Sequence, residues 1–176
     1  MAKPTLIDRA RHFGAEDIIV SKTDPQGRIT YANDVFCRVG AYSVPELIGK
    51  PHAILRHPDM PRCVFKLLWQ RIKAGEEIFA YVKNLAKTGE YYWVLAHVTP
   101  DIGPDGAITG YHSNRRSPHD SALQVIEPVY TALLAEEARH DDRNAAIQAG
   151  TALLEATLAK AGKSYDEFIF SITPEA

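Results

Sequence analysis

The fold is decided by residues 78–100, which read IFAYVKNLAKTGEYYWVLAHVTP. Apolar, aromatic and β-branched residues alternate with polar ones on either side of Lys87-Thr88-Gly89, a pattern typical of two β-strands joined by a turn. A second turn, Gly103-Pro104-Asp105-Gly106, precedes another alternating segment that runs to Arg116. The region from Ile78 to Arg116 therefore predicts three consecutive antiparallel strands.

Two further strands are predicted nearer the N-terminus. Ile18–Val20 and Ile29–Tyr31 flank an Asp-Pro-x-Gly turn at residues 24–27, which indicates a β-hairpin. Short helices should follow it, and Pro61 is well placed in the first turn of a longer helix that ends at Gly75. Short, unevenly connected strands disfavour a doubly wound parallel sheet. We predict an α+β fold with a five-stranded antiparallel sheet and short helices on one face.

The chain divides into three predicted regions. Residues 1–14 form an N-terminal cap, in which mixed polar and apolar residues predict one or two helical turns before Gly14. Residues 15–117 form the main domain. Residues 118–176 are rich in Ala, Leu and Glu, and their apolar residues recur at helical spacing. This extension predicts two helices followed by a compact apolar tail, SYDEFIFSI, which should dock onto the protein.

Composition excludes several function classes. The 176 residues include 20 Lys and Arg against 22 Asp and Glu, so no broad positive field attracts nucleic acid or an anionic membrane. The apolar runs are far shorter than the ~20 residues that span a bilayer, which predicts no membrane segment. Two cysteines, Cys37 and Cys63, and an N-terminus without the apolar core of a secretory signal predict a cytoplasmic protein with free thiols.

Four segments carry a family resemblance: TDPQGRITYANDVF, GKPHAILRHPDMPRCVFKLLW, VKNLAKTGEYYWVLAHVTP and GAITGYHSNRR. Together they resemble a PAS domain of the aerotaxis-receptor subgroup, and the resemblance covers residues 15–117. It implies a five-stranded antiparallel sheet whose inner face and helical flap enclose noncovalently bound FAD, which serves as a redox proxy for oxygen or electron-transport status. Gly75-Glu76-Glu77-Ile78 departs from the subgroup, which usually carries a Trp there against the flavin.

Arg56, His57 and Asp59 lie in an irregular, proline-containing loop, RHPDMP, where side chains can turn toward a cleft. An Arg fork matches a pyrophosphate, a His can donate to an anionic oxygen or stack, and an Asp can orient either cation. Alternatively, Asp59 caps the following helix and Arg56 pairs locally. The resemblance implies that all three residues correspond to FAD-binding positions.

Two asparagines are candidate ligand contacts. The period of two places Asn84 in one apolar row with Ile78, Ala80 and Val82, and a buried amide there needs hydrogen-bond partners. An isoalloxazine edge offers both donors and acceptors, although a strand-end amide bonded to the backbone is equally compatible with the pattern. Asn33 either caps a helix or contacts the ligand. The resemblance aligns both asparagines with polar pocket positions.

Haem is the alternative ligand, since PAS domains also hold it through a His. The candidate axial ligands are His52, His57, His97 and His112, although alternation points His97 away from the pocket. The seven histidines lack the spacing of a metal site, and the motifs of common enzyme families are absent, so we expect neither a bound metal ion nor a catalytic residue. A cofactor-free PAS adaptor remains a further alternative.

The signal should then leave by protein contact, through an unidentified signalling partner. Alternation puts Trp93, Leu95 and His97 on the outer sheet face, with Phe79 and Tyr81 beside them on the preceding strand. Because an apolar sheet face must be covered, we expect cover from the N-terminal cap, from the helices after residue 118, or from a second subunit in a homodimer. Intramolecular cover and dimerisation can coexist.

Overall fold

The computed structural model describes residues 4–174. Its centre is a five-stranded sheet with the strand order β2-β1-β5-β4-β3, in which every neighbouring pair is antiparallel. This confirms the predicted α+β fold and the three consecutive strands between residues 78 and 116. The strands are β1 Ile19–Thr23, β2 Ile29–Ala32, β3 Ile78–Leu85, β4 Tyr91–Ile102 and β5 Ile108–Arg116.

The turn between β1 and β2 follows from its sequence. The Asp24 carboxylate accepts hydrogen bonds from the backbone N–H groups of Gln26 at 3.0 Å and Arg28 at 2.8 Å. Gly27 has a φ of 78°, a left-handed conformation that glycine adopts without a steric penalty. The predicted hairpin is confirmed.

Six α-helices and one 3-10 turn complete the described chain. Short helices, the turn and a longer helix lie between β2 and β3, as the sequence predicts. Three helices follow β5, because the predicted apolar tail forms a third helix after the two that the sequence predicts. The six helices and the turn are α1 Asp34–Gly40, α2 Val44–Leu47, the 3-10 turn His52–Leu55, α3 Arg62–Lys73, α4 Asp120–Glu137, α5 Arg143–Ala161 and α6 Tyr165–Ile172.

Burial alternates along β4, and this alternation defines the two faces of the sheet. Tyr92, Val94, Ala96 and Val98 are buried, whereas the residues between them are only partly buried. Ala96 pairs with Arg115 on β5, so Arg115 also faces the buried side, which we call the inner face. On the outer face, the Phe79 and His97 rings stack with their centroids 4.1 Å apart.

The predicted helix in the N-terminal cap is wrong. Residues 4–13, which we call the N-terminal segment, contain no helix and pair with the β3–β4 turn and the start of β4. Its backbone bonds include Ile7 N–H to the Gly89 carbonyl at 2.8 Å and Arg11 N–H to the Tyr91 carbonyl at 2.7 Å. A helix this short is marginal in water, so the pairing available from the sheet prevails over local propensity.

The chain forms two compact units, which differ from the three predicted regions. One unit contains the described residues up to His57 together with Arg71–Ser117, and the other contains Pro58–Gln70 and the residues from Pro118 onward. The N-terminal segment therefore groups with the sheet. Pro58–Gln70, although central in sequence, groups with helices α4 to α6.

Gly89 and Gly106 provide a matched test of the N-terminal segment. Both have positive φ angles, 96° and 80°, but a Cβ at Gly89 would lie 2.0 Å from the Thr5 carbonyl oxygen, whereas a Cβ at Gly106 would meet nothing within 4 Å. We expect Gly106→Ala to cost roughly 1 kcal/mol of backbone strain. Gly89→Ala should cost clearly more, because the N-terminal segment must also shift. Urea unfolding measures both costs, and equal values would contradict the docking of the segment.

Candidate functional site

A buried cation lies on the inner face of the sheet. Arg115 is 2% exposed, and its Nε donates to the Ser113 hydroxyl at 2.9 Å. Its Nη2 donates to the Ser21 hydroxyl and lies 3.0 Å from Nε2 of His52, and the guanidinium stands 5.1 Å from the centroid of the Phe36 ring. None of these partners is a carboxylate. A buried charge without a counter-ion is costly, so its presence points to a function.

His52 is a neutral hydrogen-bond acceptor in this cluster. Its Nε2 lies 3.2 Å from the Ser21 hydroxyl as well as 3.0 Å from Arg115, whose guanidinium can only donate. Nε2 must therefore be unprotonated, which assigns the ring proton to Nδ1. Burial, together with the positive charge of Arg115, lowers the pKa of His52 to about 3.

Two buried donor groups on the inner face lack partners among residues 4–174. They are Nη1 of Arg115 and the hydroxyl of Tyr92. Burial raises the pKa of Tyr92 to about 12 and lowers that of Arg115 to about 10, so the phenol keeps its proton and the guanidinium keeps its charge at neutral pH. An unmet buried donor costs about 1–3 kcal/mol. Both groups are therefore suited to an acceptor supplied by a ligand or by water.

Asn84 belongs to the same face. It is 4% exposed and pairs across the sheet with Tyr92. An isolated bridge joins its backbone to that of Arg56, and this bridge holds the start of the RHPDMP loop at the β3 edge. His57, the next loop residue, is buried with its ring centroid 6.1 Å from that of Tyr91. The structure thus brings Arg56 and Asn84 together, whereas the Tyr91 ring next to His57 belongs to the outer face by the alternation along β4.

The other two predicted site residues have different surroundings. The Asn33 side chain accepts from the N–H groups of Val20 and Phe36, both at 3.0 Å, and donates to the Ile18 carbonyl at 2.8 Å. It therefore caps α1 and ties it to β1, the alternative role that its sequence allows. Asp59 is exposed and belongs to the unit that contains helices α4 to α6. Ligand contacts by these two residues stay predictions.

Sequence reasoning missed Arg115, Ser21 and Tyr92, and it considered His52 only as a haem ligand. One signal could have revealed Arg115. In GYHSNRR, strand alternation places Ser113 and Arg115 on the same face as Tyr111, which is buried. A basic residue at an inward position of a central strand is unusual enough to indicate a site.

The neutral state of His52 predicts how stability depends on pH. Its pKa is about 3 in the folded protein and about 6.5 for an exposed histidine in an unfolded chain, so below pH 6.5 the unfolded chain binds the additional proton. Stability should fall as the pH decreases from about 6.5 toward 3, by up to about 1.4 kcal/mol per pH unit from this group. His52→Gln should flatten this slope, and His119→Gln, at an exposed position, should leave it unchanged. Urea unfolding between pH 7 and 4.5 tests this, and equal slopes for all three proteins would contradict it.

Comparison with known proteins finds sequence similarity to an aerotaxis receptor and to a nitrogen fixation regulatory protein. Over 117 residues the chain is 44% identical to the aerotaxis receptor of Escherichia coli (strain K12). The matched region covers 66% of this chain and 23% of the receptor. Over 99 residues it is 30% identical to the nitrogen fixation regulatory protein of Klebsiella pneumoniae. This matched region covers 56% of this chain and 20% of that protein. The match thus spans less than a quarter of each of these relatives.

Solved structures share the fold at lower identity. One, described as the dark structure of the blue-light photoreceptor Aureochrome1 LOV, superposes with a TM-score of 0.55 at 24% identity over 65% of this chain and 86% of that one. Another, from a study of a flavin analogue and the light-oxygen-voltage domain mechanism, gives a TM-score of 0.55 at 18% identity over 65% and 87%. The PAS fold family model matches residues 15–113, the span that contains most of the sheet, and the chain therefore belongs to the PAS family.

Proposed function

We propose that this chain is a PAS sensor that binds a flavin noncovalently on the inner face, with FAD as the leading candidate, and reports redox or oxygen status through protein contacts. The observation that carries the proposal is Arg115, a buried cation that has no carboxylate partner and one unmet nitrogen within residues 4–174. The sequence similarity to the aerotaxis receptor supports the same assignment.

The polar side chains of the inner face complement the hydrogen-bonding groups at the edge of a flavin ring. The edge of an isoalloxazine carries carbonyl and ring-nitrogen acceptors beside an N–H donor. Arg115 and Tyr92 would donate to the acceptors, and the Asn84 amide can donate and accept at once. Ala80, Val94 and Ala96 add a buried apolar surface on which a planar ring can pack.

A bound flavin supplies reversible acceptance of electrons. The residues of this chain would set how readily negative charge is accepted beside them. Arg115 favours such charge, because its own charge is buried and is not neutralised by a carboxylate. Neutral His52 and the Ser21 hydroxyl hold the guanidinium in place without cancelling its charge.

The RHPDMP loop would bind the remainder of the cofactor. Arg56 and His57 lie where the loop joins β3, and we propose that Arg56 contacts the pyrophosphate while His57 donates to it or stacks against it. Asp59 would orient these cations. The output would be non-enzymatic and directed to a signalling protein in the cytoplasm, and a homodimer would form through the outer sheet face or the terminal helices.

Haem and an empty adaptor fit the site less well. Nε2 of His52 is already used by Arg115 and Ser21, so this histidine is poorly suited to be an axial ligand. In an adaptor without a ligand, the buried donors of Arg115 and Tyr92 would have no ligand acceptor to compensate the cost of their burial.

None of the helices in residues 4–174 is both long and apolar enough to cross a membrane.

Arg115→Gln tests the proposal, with Arg116→Gln as its matched control. Arg116 is the adjacent residue on β5 but is exposed and points to the opposite face. We expect Arg115→Gln to weaken FAD binding about tenfold or more, because a charge-assisted hydrogen bond is lost, and Arg116→Gln to bind nearly as tightly as wild type. Quenching of flavin fluorescence during titration of the purified full chain measures both affinities.

Several outcomes would reject parts of this assignment. A wild-type protein that stays colourless after incubation with FAD and FMN, and shows no thermal shift with either, would exclude the flavin. A Soret band would support haem instead. Equal affinities of Arg115→Gln and Arg116→Gln would show that Arg115 does not hold the ligand.

The loop has its own test. Arg56→Ala and Asp59→Ala should retain less FAD after purification than Lys66→Ala. The first variant loses a cation that contacts a buried anion, the second loses the carboxylate that orients the cations of the loop, and the third loses only a 3.4 Å bond to Thr151. The measurement is the flavin-to-protein absorbance ratio. Equal retention by all three variants would leave the loop with a structural role only.

A further inference from the structure

A carboxylate from α4 caps the N-terminus of α3. Glu137, the last residue of α4, is 6% exposed. Its Oε2 accepts from the backbone N–H of Arg62 at 2.9 Å, and its Oε1 accepts from that of Cys63 at 2.8 Å. These are the first two residues of α3, whose N–H groups have no partner within their own helix. A negative charge at this end is also favoured by the helix dipole. We call this arrangement the Glu137 clamp.

Helix α5 packs directly against the Glu137 clamp. A Cβ at Gly150 would stand 2.8 Å from Oε1 of Glu137 and 3.1 Å from Sγ of Cys63, so a larger residue there must displace one of them. Burial and the neighbouring Glu137 raise the pKa of the Cys63 thiol to about 12, which keeps the thiol neutral beside the carboxylate. Helices α4 and α5 thus both contact the start of α3.

The position of the Glu137 clamp along the chain gives it a second property. Helix α3 begins at Arg62, directly after the RHPDMP loop of residues 56–61 that we propose binds the cofactor. No linker separates the loop from the helix. A displacement of the end of the loop therefore acts directly on the first turn of α3 and on its two bonds to Glu137.

We propose that the Glu137 clamp is the output connection of the sensor, through which the state of the cofactor loop reaches helices α4 and α5. This inference rests on the proposed flavin function. With the clamp closed, the loop and the C-terminal helices are held together by two charge-assisted hydrogen bonds. A change of charge at the cofactor that displaces the loop opens the clamp and releases the end of α4. The C-terminal helices are then the part of the chain that presents the signal to a partner protein.

Hydrogen exchange measured on the full chain tests the clamp in two steps. The first step uses flavin-free protein and compares wild type with Glu137→Gln, which keeps the shape of the side chain but loses its charge and one acceptor. We expect several-fold faster exchange at Arg62 and Cys63 and in residues 56–61. Glu136→Gln is the control, because it removes an adjacent ion pair with Arg139, 3.0 Å away, and leaves the clamp intact. Unchanged exchange in Glu137→Gln would overturn the inference whatever the ligand.

The second step compares FAD-loaded protein before and after reduction with dithionite. In wild type and Glu136→Gln, reduction should change exchange in residues 56–63 and in α4 and α5. In Glu137→Gln the change in residues 56–61 should persist while that in α4 and α5 is lost. A wild-type protein whose loop responds but whose helices do not would overturn the clamp and leave the proposed function standing. If the protein binds no flavin, both the proposed function and the role of the clamp as its output connection are rejected.

Gly150→Ala provides an independent variant in case Glu137→Gln does not fold. Alanine is favoured over glycine within a helix, so local propensity alone predicts a more stable α5. The added methyl group would displace the Glu137 carboxylate, and we expect the loss of coupling seen in Glu137→Gln. Retained coupling between the loop and helices α4 and α5 in Gly150→Ala would count against the clamp.

Discussion

A buried positive charge with no counter-ion in the described part of the chain is the constraint on which the inner face depends. Arg115 can remain buried because Ser113, Ser21 and neutral His52 accept its hydrogen bonds and the Phe36 ring faces its guanidinium. These groups come from β5, β1, the 3-10 turn and α1. The short helices are thus fixed on the sheet by polar contacts as well as by apolar packing. This arrangement leaves a charge available for a ligand.

The sheet could be predicted from sequence because its signals are local. Alternation from Ile78 onward specified the strands and their faces, and the Asp24 turn specified the first hairpin. The N-terminal segment could not be predicted in this way. Its conformation is determined by backbone groups of the β3–β4 turn, more than 70 residues away in the chain, and no periodicity records such a partner.

Only part of the candidate site could be predicted from the sequence, again because sequence signals are local. Asn84 was found because a polar residue interrupted an apolar row, and its burial follows from that position. The bridge between Arg56 and Asn84 and the contacts of Glu137 with α3 each join distant segments through backbone groups, which carry no signature of residue type. Sequence therefore indicated some of the side chains that could bind a ligand, whereas the connections among them required the structure.

The low pKa of His52 has a consequence for the charge of the inner face. With the pKa of His52 at about 3, that of Tyr92 at about 12 and that of Arg115 at about 10, none of these three groups changes its charge between pH 5 and 8. The inner-face cluster therefore presents the same charge to its surroundings throughout this range of pH, a constancy that follows from the burial of all three groups.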